Sequence, residues 1–326
     1  MTAPSRAGVL PVGATLDRGF ALLRRQPRPI VLPAVLLHVV ALVAVVLLTL
    51  IGLLLLGDIA TTSEQVREST FFGDSTLETR EVASLTDGQW TTFAILAGIG
   101  GLIVLWFTTA SYATMILAAR RADAGEEQLP TGAALREGLR ATPRLFGLTL
   151  IVLAVLAVVG VVGWFVARAL YRAGGLSVMG LGGLVGIALA TVVGVRLLLV
   201  PVVALVEDLG VASFGRTWRL TAGAFWPLLG LTLLLGVVVS AVYVVVTLLL
   251  EAVFGLLNAL DTAFGSWLLL PYAALVLVLS VVYAAAFLAP LVVARRELAD
   301  GDGDAAGGAS WSGDAGDAPA AVDLPA

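Results

Sequence analysis

Cysteine is absent from the 326 residues, so disulfide frameworks and thiolate chemistry are excluded. Lysine is absent too, and all 19 basic residues are arginine. A phosphate loop of the Gly-rich, Lys-ending kind therefore has no candidate. A single histidine, His38, leaves no His/carboxylate cluster of the kind that metal-assisted hydrolysis requires. Charge is scarce at 13%, where soluble domains carry about 25%. What fills the chain instead is apolar sequence, 59% of residues, with a mean hydropathy of +1.01.

That apolar sequence falls into runs long enough to cross about 30 Å of hydrocarbon at about 1.5 Å per residue. Six spans are expected, at about 30–56, 91–119, 145–167, 181–206, 226–250 and 267–294. The runs are apolar all round, which suits lipid or a bundle interior. In lipid each backbone N–H and C=O needs a partner within its own segment, so the spans are read as helices. The first run, from Ile30, exceeds the core of a signal peptide and is read as a retained span.

Arginine sets the expected orientation. One side collects Arg6, Arg18, Arg24, Arg25, Arg28, Arg120, Arg121, Arg136, Arg140, Arg144, Arg216, Arg219, Arg295 and Arg296. The other has only Arg67, Arg80, Arg168 and Arg172, while Arg196 lies inside a span. By the positive-inside rule both termini are expected in the cytoplasm. The connection 57–90 is polar and acidic, and is expected outside. Residues 1–298 make the membrane domain, and 299–326, with six aspartates and no basic residue, read as a disordered acidic cytoplasmic tail.

Three arginine-bearing stretches interrupt the apolar runs on the cytoplasmic side. They begin "PVGATLDRGF" at Pro11, "PTGAALREGLR" at Pro130 and "VEDLGVASFGRTWRLT" at Val206. Each has helical amphipathic spacing: Val12, Leu16, Phe20 and Leu23 in the first, and Leu135 and Leu139 opposite Arg136, Arg140 and Arg144 in the second. In the third, Val211, Phe214 and Trp218 oppose Arg216 and Arg219, with Asp208 as the expected N-cap. Such helices lie in the headgroup plane. The expected architecture is thus all-α: a polytopic bundle of six spans in three hairpin units, each preceded by a short cytoplasmic interfacial helix.

The block "LVPVVALVEDLGVASFGRTWRLTAGAFWPLLGL" resembles the signature of the glycerophosphoryl diester phosphodiesterase membrane-domain family. The matching residues include Pro201, Glu207, Arg216, Trp218, Arg219, Leu220, Thr221 and Trp226. The resemblance implies a helix-plus-hairpin membrane fold and a structural role for Glu207, Arg216, Trp218, Arg219 and Trp226. It does not imply catalysis, which in that family belongs to a separate soluble barrel that this chain has no segment long enough to form. The ending "PLVVARRELAD" departs from the family's longer close.

No catalytic residue, cofactor or metal site is expected. Four polar groups at comparable depth form the candidate ligand site: His38, Tyr112, Arg196 and Tyr283. An arginine at the middle of a span costs about 2.5–3.5 kcal/mol on the insertion scale, so Arg196 should face the bundle or a wet cavity. Either it holds an anionic headgroup or substrate, or it bonds helix carbonyls or a tyrosine and locks the bundle. His38 fits a bridge between helices by one hydrogen bond. The small residues Gly182, Gly186, Ala190 and Gly194 form a ridge for close packing, within the chain or against another copy. The expected function is a non-enzymatic organising, regulatory or lipid-interacting module of a prokaryotic cell membrane, contacting the anionic inner leaflet and possible membrane-protein partners or copies of itself. The alternative is a transporter of a small anionic molecule or lipid, using a pocket around Arg196. Nucleic acid is not an expected partner.

Overall fold

The computed structural model describes residues 10–56, 60–69, 75–84, 86–260 and 262–310. In chain order the elements are α1 (Val12–Arg25), α2 (Pro27–Leu56), β1 (Ala60–Ser69), β2 (Ser75–Ser84), α3 (Asp87–Ala124) and α4 (Thr131–Leu197). They continue with α5 (Val200–Val206), α6 (Ala212–Thr221), α7 (Phe225–Leu260) and α8 (Thr262–Ser310). Six stretches among the described residues are long and apolar enough to span a membrane: Pro27–Leu55, Gly88–Ala124, Thr131–Arg172, Gly174–Val206, Phe225–Gly255 and Pro271–Asp300. Each overlaps one expected span. The chain is a helical, multi-pass membrane protein.

Local chemistry explains where the helices break. α4 folds back at Gly174 and Gly175, and Gly175 has φ +67°, a conformation that glycine enters without steric cost. Gly182 packs directly against Leu170 across that bend. A Cβ at Gly186 or Gly194 would meet nothing within 4 Å, so one member of the expected small-residue ridge makes a close approach inside the chain. The ladder breaks again at Leu198–Leu199, just before Pro201. Proline has no N–H to bond to the carbonyl four residues back, and α5 restarts with it in its first turn.

Several expectations change in detail. The second interfacial helix is not set off from its span, because α4 runs unbroken from Thr131 through Pro143. A proline forfeits one ladder bond there without ending the helix. The connection 57–90 contains an antiparallel hairpin, with Ala60 opposite Ser84 and Ser69 opposite Ser75. β-Branched residues such as Thr61, Thr62, Val66, Thr79 and Val82 favour that extended form. Glu251 and Asn258, beyond the expected end of the fifth span at 250, lie in α7; Asp261 falls outside the described residues. α8 continues to Ser310, into the expected disordered tail, because a helix anchored by packing extends at one hydrogen bond per residue. The rest of the tail, 311–326, lies outside the described residues.

The chain forms two compact units. In the unit Leu36–Thr108, Gly52 faces Leu96 and Gly100 faces Leu48, each close enough that a Cβ would stand 3.1 or 3.3 Å from a methyl group. Gly98 and Gly101 have open space, so Gly100 alone of that glycine cluster serves close packing. The other unit, 1–35 with 109–326, holds the main core. There Ile116, Leu199, Val202, Leu228, Leu231 and Leu291 are buried together. Against that core pack Val12, Leu16 and Phe20 of α1, the stripe read from sequence.

Candidate functional site

The arginine-rich end of the larger unit is organised by a stretch of α8 at Arg295–Glu297. Three consecutive residues there reach three different parts of the fold. Arg295 donates from Nη2 to Glu207 Oε1 at 2.7 Å. Arg296 donates from Nη1 to the Asp123 carbonyl at 3.0 Å and to its Oδ2 at 3.1 Å, at the end of α3. Glu297 accepts from Thr15 Oγ1 at 2.5 Å and from Arg18 Nη1 at 3.1 Å, both on α1. Successive residues on an α-helix point about 100° apart, since about 3.6 make a turn, so this triplet naturally addresses separate neighbours.

Glu207 is the centre of the elbow between α5 and α6. Its second oxygen accepts from Arg216 Nε at 3.2 Å, so one carboxylate serves two guanidiniums. Glu207 and Arg295 side chains are each only 18% exposed. In that low-dielectric setting the carboxylate needs its partners. Asp208 does not cap α6, whose N-cap position is Val211, with no side-chain cap bond. Instead Asp208 adopts a left-handed backbone, φ +56°, and its carboxylate pairs with Arg144 of α4. Arg121 completes the set by donating to both oxygens of Glu137, at 3.0 and 3.1 Å.

A second group of arginines has no acidic partner among the described residues. Arg24 and Arg25 on α1, Arg28 on α2, Arg120 on α3, Arg136 and Arg140 on α4 and Arg219 on α6 are all exposed. Arg6 lies outside the described residues. The two groups divide the labour of the positive charge: one ties helices together, the other faces the surroundings.

On α6 the buried face is not the apolar one. Ser213, Thr217, Leu220 and Thr221 are buried, whereas Val211 and Trp218 are 64% and 49% exposed. Small side chains let α6 pack closely onto the bundle beside Leu220, while Val211 and Trp218 keep much of their surface outward. Trp226 is 76% exposed and lies edge-on to Phe225, their centroids 5.3 Å apart.

The four polar residues singled out within the spans fall into different settings. The Arg196 guanidinium carbon lies 4.0 Å from the ring centroid of Trp218. Its buried Nε bonds to no acceptor among the described residues. The partner of the intramembrane arginine is therefore an aromatic face, and sequence reasoning named both residues without joining them. Position i of a kinked span and an aromatic on the following interfacial helix was the available signal. Tyr283 stacks edge-on with Tyr243 at 5.4 Å, and its hydroxyl lies 3.4 Å from Ser240 Oγ. A groove of about 170 Å³ beside it is walled by Phe20, Val239 and Val242, with neither Arg196 nor Tyr112 in its wall. Tyr112 lies within electrostatic reach of Tyr283 and is 37% exposed. His38 belongs to the Leu36–Thr108 unit.

Residues that sequence reasoning passed over are Thr15, Gly19, Asp123 and Glu297. Each is short or common, and its importance depends on what α8 brings beside it. Compared with known protein families, curated proteins and solved structures, the chain matches none of them.

Proposed function

We propose that the chain is a non-enzymatic module of a prokaryotic cell membrane that engages the anionic inner leaflet through its arginine-bearing helices. The termini are cytoplasmic in this reading, because the arginine-rich end then faces the side that the positive-inside rule assigns. One observation carries the proposal. Arg24, Arg25, Arg28, Arg136, Arg140 and Arg219 stay exposed and have no carboxylate partner among the described residues, while their neighbours Arg18, Arg144 and Arg216 are committed to ion pairs. Free guanidiniums at headgroup level attract anionic lipid, at about 1 kcal/mol per residue near the surface. The resemblance to the glycerophosphoryl diester phosphodiesterase membrane-domain family supports the same reading, since it implies a membrane fold without the barrel.

Thermal unfolding in nanodiscs tests it. Phosphatidylglycerol should raise the Tm above that in phosphatidylcholine, and added salt should shrink the difference as screening shortens the electrostatic range. Equal Tm values in the two lipids count against the proposal. The second reading, transport of a small anion, rests on Arg196 Nε lying buried without an acceptor among the described residues. Anion flux into proteoliposomes that disappears in Arg196→Leu would favour it over the module.

A further inference from the structure

A groove of about 630 Å³ opens between α1, the start of α2 and α8. Ligand pockets run from about 300 to 1,000 Å³, so its size is that of a binding site. Its floor is apolar, formed by Leu23, Val31, Val35 and Val282, and two arginines, Arg24 and Arg28, stand in its wall. The two charges are not spread along it. Arg24 closes α1 and Arg28 opens α2, so both sit where the interfacial helix turns into the span. From Arg28 to Val35 the groove descends about 10 Å along α2, at about 1.5 Å per residue.

We infer that this groove holds one acyl chain of an anionic phospholipid, with the lipid phosphate between Arg24 and Arg28. The inference rests on the reading of the chain as a lipid-engaging module and assigns that engagement a place. Charge complementarity selects the occupant: neither arginine has a carboxylate among the described residues, both are exposed, and both border an otherwise apolar trough, which they line mainly with their aliphatic stems. A free anion would satisfy the guanidiniums and leave the floor bare. A second helix would cover the floor and strand the charges. A phospholipid does both, because its phosphate and its chain are joined at the spacing between headgroup level and hydrocarbon. The groove is closed behind by Ile30, Met115, Val281 and Ala285, which are buried as a separate small core under it.

Native mass spectrometry of the full chain, titrated with palmitoyl-oleoyl phosphatidylglycerol or the matching phosphatidylcholine, tests the site. The unaltered protein should retain one phosphatidylglycerol in preference. Arg24→Gln with Arg28→Gln should weaken that retention about 25-fold, taking about 1 kcal/mol per arginine and about 1.4 kcal/mol per tenfold. Arg136→Gln with Arg140→Gln removes the same charge from α4 and should change retention by less than about twofold. Val282→Trp fills the trough without altering charge and should release the lipid while the far-ultraviolet circular dichroism stays helical; if that variant loses helicity, Leu32→Trp from the opposite wall replaces it. Equal weakening by the two arginine pairs, or retention undiminished by the filled trough in a folded variant, overturns the groove assignment. No preference for phosphatidylglycerol in the unaltered protein overturns the lipid-engaging reading itself, a result that the first two outcomes do not produce.

Discussion

Gly19 of α1 lies directly against Pro290 of α8. A methyl group built on Gly19 would stand 2.5 Å from Pro290 Cγ, 2.6 Å from its Cα and 2.7 Å from its nitrogen. Two of those three atoms are backbone, which cannot rotate away. Alanine normally stabilises a helix by about 1 kcal/mol over glycine. Here the sign should reverse: overpacking against fixed atoms costs roughly 1–3 kcal/mol. Gly19→Ala is therefore expected to lower the Tm in detergent, whereas Gly13→Ala, with nothing within 4 Å, should leave it unchanged or raise it.

Glu207 is the acid most dependent on its surroundings. Glu207→Gln would leave Arg216 and Arg295 half-buried without their shared carboxylate. The expected loss is on the order of 2–3 kcal/mol, less than the roughly 3–5 kcal/mol of a fully buried pair because solvent still reaches these side chains. Chemical unfolding of Glu207→Gln, Arg295→Gln and the double variant measures the coupling. Additive losses would show that the pair contributes nothing jointly.

Trp218 should matter through Arg196. A cation over an aromatic face is worth about 0.5–2 kcal/mol, increasing as the pair is desolvated. Trp218→Leu should destabilise by about 1 kcal/mol and Trp218→Phe by less, since phenylalanine keeps a ring face. In an Arg196→Leu background the two Trp218 variants should become alike. A difference that persists there would assign the tryptophan a role of its own.

The cysteine-free chain suits a direct test of orientation. Gly88→Cys and Gly132→Cys each place one thiol at an exposed position with room for the side chain. An impermeant maleimide applied to intact cells should label the first and spare the second. Labelling of both from outside would overturn the crossing by α3 and the expected orientation.

The spans were legible because hydropathy over about 20 residues needs no partner to be read. The bend at Gly174–Gly175 falls between the expected spans 145–167 and 181–206, but the break at Leu198–Leu199 was not expected, because 181–206 reads as one continuous span through Pro201. The permissive and restricted backbones at these positions explain the two breaks afterwards. The first and third interfacial helices were legible as segments, but the face by which α6 packs was not: Ser213 and Thr217 are buried, and short polar side chains carry no apolar signal that would mark them. Thr15, Asp123 and Glu297 could not be found from one sequence, because their partners lie on other helices. The ending "PLVVARRELAD" read as a departure from a family pattern, yet its two arginines and glutamate organise this end of the bundle. The hairpin of β1 and β2 was missed for want of a regular apolar alternation.

The triplet Arg295, Arg296 and Glu297 gives α8 a mechanical character. Its three grips radiate around one axle, onto the elbow after α5, the close of α3 and the flank of α1. Because all three start from one short stretch of one helix, a rotation of α8 there would bear on these three neighbours together.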